Sequence, residues 1–309
     1  AAYRKLRSDA THLGIGTPDT LGPLEHLTGP FVAQRDGSAS QAKLLFPWPA
    51  DCVTQVLRHG IRMEYVAPVQ RAPFAGCCLQ GLCPLWVRQP ATDSPIGRHF
   101  ANSAVLAAWQ LGLPRCSWPS AKPERYWQNE RRAGNALQED RTVREGYLYS
   151  LDLANPYRDL RTRGGIAFGI RLTETLGVPG SIQLGGESKW ARLEETTCSL
   201  PAALPEAAFT QREKNTLFKT YLATPAVFAN GWRPDWIAPT TLTGTWPGGP
   251  SMRLVSIALG EGSLIGGFDL AQGDGPGRSR GSHHAVPAGS VYFFEAEATP
   301  SEVLKLHGQ

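Results

Sequence analysis

The sequence predicts an α+β protein of two domains, built mainly from short strands and hairpins, with a basic arm projecting from the first domain. Three observations lead there. The 309 residues include 33 glycines and 25 prolines, which cut the chain into short segments, while a 41% hydrophobic content still supplies a core. Short runs such as Gly29 to Gln34 and Val178 to Leu184 alternate apolar and polar residues, the period of a half-buried strand. The whole formal charge of +4 falls in one window, 115–171, whose first part is nearly free of aliphatic side chains. A length of 309 residues exceeds what one core usually serves, so two domains are expected, 1–200 and 201–309. Their boundary is placed in Ser199 to Pro205, where Pro201 and Pro205 flank Ala202-Ala203-Leu204.

Ala1 to Leu6 reads as the end of a helix and Gly14 to Gly29 as a turn-rich loop. Gly29 to Gln34 alternates as a strand, Asp36-Gly37 is a strong turn pair, and Lys43 to Phe46 supplies the return strand of a hairpin. Pro47-Trp48-Pro49-Ala50-Asp51 then makes an extended corner, because each proline fixes its own φ and pushes its predecessor into the β region. Short strands and loops follow. Ser94-Pro95-Ile96-Gly97 and the Ala-rich run to Leu113 form the helix candidate of this half, stopped by Gly112 and Pro114.

Residues 115–149 cannot make a core of their own and read as a hairpin arm, with Thr142 to Tyr149 returning as a strand. Gly164 to Leu172 and Val178 to Leu184 are further strands, the second running into Gly185-Gly186-Glu187-Ser188-Lys189-Trp190-Ala191-Arg192. In the second domain, strands are expected at Leu217 to Pro225, Leu254 to Leu259 and Val291 to Glu295, with a loop from Trp232 to Pro239. Gly262 to Gly267 leads to Phe268, and Gly273 to Gly281 is read as a flexible loop carrying Arg278 and Arg280.

The charged window holds 11 basic residues against seven acidic ones, and Trp118, Tyr126 and Trp127 are interleaved with its arginines. Arginine suits phosphate, and rings suit splayed bases, so this composition fits single-stranded RNA. Seven acids equally allow a solvated hairpin whose charges pair among themselves. Gly185-Gly186 permits close backbone approach, and Lys189, Trp190 and Arg192 follow as an anion and stacking site; a β-bulge before an ordinary surface reads the same way. Neither glycine-rich phosphate-loop pattern is matched.

Six cysteines, Cys52, Cys77, Cys78, Cys83, Cys116 and Cys198, lack the two spaced pairs of a zinc site and read as buried or inert thiols. No metal and no cofactor is expected. The seven histidines are scattered; His283 and His284 are adjacent, and in a strand would face opposite ways. They fit contact with RNA or a partner, or a solvated loop. No apolar run of membrane-spanning length and no leader is visible, so the expectation is a reduced, cytoplasmic protein without a membrane partner. The chain begins Ala1-Ala2-Tyr3-Arg4 without an initiator Met, so part of the natural N-terminus is expected to be missing.

The order of distinctive segments is informative. Gly29-Pro30-Phe31, Phe46-Pro47-Trp48-Pro49-Ala50-Asp51, Glu145 to Tyr149, Leu184-Gly185-Gly186-Glu187, Lys219 to Phe228 and Val286 to Phe293 together resemble the CRISPR-associated Cmr subunit three family, RAMP-superfamily proteins of type III-B effector complexes. The resemblance spans about residues 29–295. It implies two ferredoxin-like (RRM-like) domains with antiparallel sheets, and a subunit without catalysis. The implied role is to hold the 5′ tag of the guide RNA beside the large Cas subunit and the adjacent RAMP backbone subunit, in antiviral defence. Family members open with a strand before the helix that ends near Leu6 and close with a glycine-rich loop and strand beyond His307, and both are expected to be missing here.

The RNA-binding candidates are therefore Arg125, Arg131, Arg132, Arg141 and Arg144 on the arm, Gly185, Gly186, Lys189, Trp190 and Arg192, and Arg278, Arg280, His283 and His284. Two other readings stand beside this one. A RAMP endoribonuclease that processes CRISPR repeat RNA would use a histidine as general acid or base. A structural connector would set the basic window against an acidic protein surface.

Overall fold

The computed structural model describes residues 28–35, 41–57, 60–69, 81–87, 99–113, 124, 126–159, 164–171, 180–184, 189–198, 200–269 and 278–307. Over these residues the protein is mostly β, with antiparallel sheets and two short helices.

The expected N-terminal hairpin forms from β1 (Thr28–Arg35) and β2 (Ala42–Pro47), with Val32 opposite Leu45 and Arg35 opposite Ala42. β3 (Cys52–Leu57), β4 (Gly60–Pro68) and β5 (Leu85–Val87) make a separate three-stranded sheet. β6 (Phe100–Asn102) pairs with β2 and leads directly into α1 (Ser103–Gln110). The helix thus starts later than the proposed Ser94. Phe100 and Ala101 pair with Pro47 and Phe46, which keeps them extended, and the Asn102 side chain caps the helix by accepting a 3.0 Å bond from Val105 N–H. Ser94 to Gly97, the Asp36-Gly37 turn and the Ala1 to Leu6 helix lie outside the described residues.

β7 (Trp127–Leu137) and β8 (Val143–Pro156) form the arm, and β9 (Arg158–Asp159) and β10 (Gly164–Arg171) return to the body. The first sheet has the order β6-β2-β1-β10-β9. Alternation gives it two different faces. Phe31, Ala33, Leu44 and Phe46 bury against Val105, Leu106 and Trp109 of α1, while Val32, Leu45 and Ile166 on the other face meet Phe100, Tyr126 and Trp127.

A small hairpin, β11 (Ser181–Leu184) with β12 (Lys189–Arg192), precedes the second half. That half contains β13 (Thr210–Arg212), β14 (Asn215–Tyr221), β15 (Thr243–Thr245), β16 (Ser251–Ala258), β17 (Ser263–Asp269), β18 (Arg278–Ala285), β19 (Val291–Ala296) and α2 (Pro300–Leu304). Its sheet runs β13-β14-β19-β16-β15, and β17 with β18 forms another two-stranded hairpin. Arg278 and Arg280, expected in a loop, stand in β18 opposite Asp269 and Gly267, because the ladder with β17 extends them.

The second core gathers Met252, Leu254, Tyr292, Phe294 and Ala296 with Ile237, Leu242 and Val303. Trp236 stacks on Phe294 at 5.7 Å, and burial pushes the Tyr292 phenol well up as its hydroxyl donates to the Trp232 carbonyl at 2.5 Å. The first core does not end at residue 200: Ala258 and Val291 belong to it, and Tyr221, Ala223 and Phe293 pack against it.

Candidate nucleic-acid interface

The arm is a ladder from Trp127 opposite Pro156 to Leu137 opposite Val143, with a bulge between Asn135 and Leu137. Eleven residues in β7 give it a length of about 35 Å. Its root is aromatic. Tyr126 is buried, Phe100 meets Tyr126 and Trp127 edge-on at 5.7 and 5.4 Å, and Tyr157 N–H closes the base on the Tyr126 carbonyl at 2.9 Å. Tyr126 and Trp127 therefore anchor the arm, which corrects their reading as rings interleaved for bases. Trp118 lies outside the described residues.

Beyond the root the arm is solvated. Arg131 and Arg132 are exposed along β7. Arg131 reaches Ser150 Oγ at 3.4 Å and stands 4.0 Å from Asp152, while Arg132 Nε bonds Glu130 at 2.8 Å. Pairs this exposed are worth at most about 1 kcal/mol and exchange readily for phosphate. At the tip, Asp140 accepts 2.9 and 2.7 Å bonds from the amide and hydroxyl of Thr142, and these hold its carboxyl below the usual range. That closed turn carries Arg141 at φ 65°, its N–H bonded to the Gln138 carbonyl and its side chain in solvent. Arg144 stands in β8; Arg125 lies outside the described residues. Leu137, Val143 and Leu148 are also exposed on the arm, Leu148 at 75%. The sequence reading passed over them, although aliphatics in a segment that forms no core were the available signal.

Lys189 opens β12, where Trp190 pairs with Gln183 and is 69% exposed. Trp190 and Arg192 alternate with the half-buried Ala191 and Leu193, so both face solvent on the same side. Arg192 Nε bonds Glu194 at 2.9 Å, and Glu194 also pairs with Arg35 at the end of β1. This ties the small hairpin to the first sheet. Gly185 and Gly186 lie outside the described residues.

In the β17–β18 hairpin, His283 and His284 are exposed opposite Ile265 and Leu264, as adjacent strand residues on opposite faces. The described candidate residues are thus distributed over three two-stranded hairpins. Among the described residues no three His, Cys, Asp or Glu side chains stand together as metal ligands would, and no helix is long and apolar enough to cross a membrane. Of the cysteines described, Cys52 is buried, with its thiol pushed up by that burial, Cys83 is half-buried, and Cys198 is exposed, so burial does not hold for all of them.

Comparison with known families finds a match: the family described as CRISPR-associated protein (Cas_Cmr3) covers residues 3–306. No curated protein matches the chain.

Proposed function

The chain belongs to the Cas_Cmr3 family of CRISPR-associated proteins, a family of type III-B effector-complex subunits, and on that premise we propose that it binds the 5′ tag of the guide RNA without catalysing a reaction. In this reading it bridges the large Cas subunit to the adjacent RAMP backbone subunit. The same reading assigns two ferredoxin-like domains, 1–200 and 201–309, as the family resemblance implies, and has Arg278, Arg280, His283 and His284 extend the RNA path.

The observation that carries the proposal is the division of labour on the arm. Aromatic side chains hold the root, while Arg131, Arg132 and Arg141 stand exposed further out, where phosphates can reach them. Trp190 and Arg192, side by side on β12, suit a stacked base with its phosphate.

The test uses the reconstituted complex and tag-bearing RNA. Arg131→Glu, Arg132→Glu and Arg141→Glu together are expected to weaken binding and to lower the slope of log affinity against log salt by about 2, at roughly 0.7 per single-strand phosphate contact. An assembled variant complex with native affinity and native slope would overturn the assignment.

A further inference from the structure

The corner Pro47 to Asp51 between β2 and β3 touches both halves of the protein. Asp51 is fully buried; its Oδ1 accepts the Trp109 indole N–H at 2.7 Å, and its Oδ2 pairs with Lys219 Nζ at 2.9 Å. Lys219 lies on β14, 3.9 Å from the ring centre of Trp109 and 5.3 Å from that of Tyr65. Two residues on, Tyr221 donates its hydroxyl to the Pro47 carbonyl at 2.6 Å.

The same corner meets the foot of the β17–β18 hairpin. Ala50 N–H donates to the Gly289 carbonyl at 2.8 Å, and Gly289 N–H donates to Leu222 at 2.7 Å. Gly289 has φ 93° and lies so close that a Cβ there would stand 2.7 Å from the Trp48 carbonyl oxygen. Gly260 N–H bonds Ser290 Oγ at 3.5 Å, joining the strand leading into that hairpin to the one leaving it. The arm, for its part, is rooted on Leu45 of β2 and Phe100 of β6.

We infer that the Pro47–Asp51 corner, with Lys219 and Gly289, is a rigid joint that fixes the separation of the arm from the β17–β18 hairpin. A buried ion pair gives little net stability over an apolar pair of the same volume, but it admits few arrangements. Asp51 satisfies Lys219 while also holding α1 through Trp109, so β14 and α1 are tied to the corner through one carboxylate. The consequence for RNA rests on the reading above: an RNA that touches both hairpins gains from their preset spacing, because the second contact forms at high effective concentration. The joint itself does not depend on that reading.

The test is a distance measurement on the full chain, with spin labels carried by p-acetylphenylalanine at Asn135 and Ser282, which leaves the native cysteines untouched. The native protein gives one narrow distance. Asp51→Asn with Lys219→Met removes both charges, keeps an acceptor for Trp109 and keeps the lysine stem length; with a native circular dichroism spectrum it broadens the distribution. A native-width distribution in the folded double variant overturns the joint, and should that variant not fold, Tyr221→Phe decides between the same two outcomes. Tag-bearing RNA long enough to span both hairpins then binds the double variant about tenfold or more weakly, while RNA covering one hairpin is unaffected. A broadened distance with unchanged affinity for the spanning RNA overturns the RNA consequence. Absence of RNA binding by the native protein overturns the RNA reading and leaves the distance to judge the joint.

Discussion

Replacing Gly289 by alanine probes the contact between the two halves, and Gly231 supplies a matched control. Both glycines have positive φ, 93° and 78°, a region that costs an L-residue about 1–2 kcal/mol. At Gly231 a Cβ would meet nothing within 4 Å, so Gly231→Ala is expected to cost only that. At Gly289 the new Cβ would stand 2.7 Å from the Trp48 carbonyl oxygen, which cannot withdraw without moving the Pro47–Asp51 corner. That shift strains two hydrogen bonds, Ala50 N–H to Gly289 and Gly289 N–H to Leu222, each worth about 1 kcal/mol. Gly289→Ala is therefore expected to cost about 3–4 kcal/mol, roughly 2 more than the control. Urea unfolding followed by tryptophan fluorescence measures both, with the midpoint falling and the slope unchanged. Equal costs for the two variants would refute the claim that the Gly289 backbone is packed on the corner.

Leu254 is fully buried in the second core, so Leu254→Ala is expected to lose about 3–5 kcal/mol in the same urea experiment; a loss below 1 would mean that the second sheet is not packed as described. The Arg253 guanidinium, 2.7 Å from Glu295, and the Asn215 amide, 3.2 Å away, hold the Glu295 carboxyl below its usual range. A depressed folded value stabilises above the unfolded value near 4.3 and is lost as the pH falls through the folded one, so acid titration should destabilise the native protein more steeply than Glu295→Gln; identical slopes would remove the pair from the account. Trp190→Ala is expected to weaken tag-RNA binding by the reconstituted complex by about 1–3 kcal/mol, the worth of one stacked base, with no change in salt slope. Native affinity of the assembled Trp190→Ala complex would remove the stacked base from the account.

Local pattern made the strands legible. Alternation at Gly29 to Gln34 and a strongly β-prone run at Val291 to Glu295 marked two strands that lie centrally in their sheets, where both faces meet apolar side chains. The arm was legible for the opposite reason: the stretch before Val143 holds almost no aliphatics, so it cannot bury itself and has to project. Its extent was less clear, since β8 continues to Pro156, past the polar stretch and back along the ladder.

What local pattern could not reveal was long-range pairing. Tyr126 and Trp127 looked like base platforms, but their partners are Phe100 and Leu45, whose approach depends on β6 adding to the sheet edge. Asp51 and Lys219 stand 168 residues apart in sequence, and nothing at either position announces a buried pair. The proline-rich corner was visible as an extended corner; its bonds to Lys219, Tyr221 and Gly289 in the second half of the chain were not. The glycine-rich stretch around Arg278 and Arg280 hid β18 because the strand is defined by its partner β17 rather than by its own alternation.

The most direct test of the central claim is a structure of the assembled type III-B particle with its guide RNA. The account predicts tag phosphates within hydrogen-bond distance of Arg131, Arg132 or Arg141 on the arm, and a base stacked on Trp190 beside Arg192. An arm and a β11–β12 hairpin both enclosed in neighbouring protein, with the tag bound elsewhere, would contradict it.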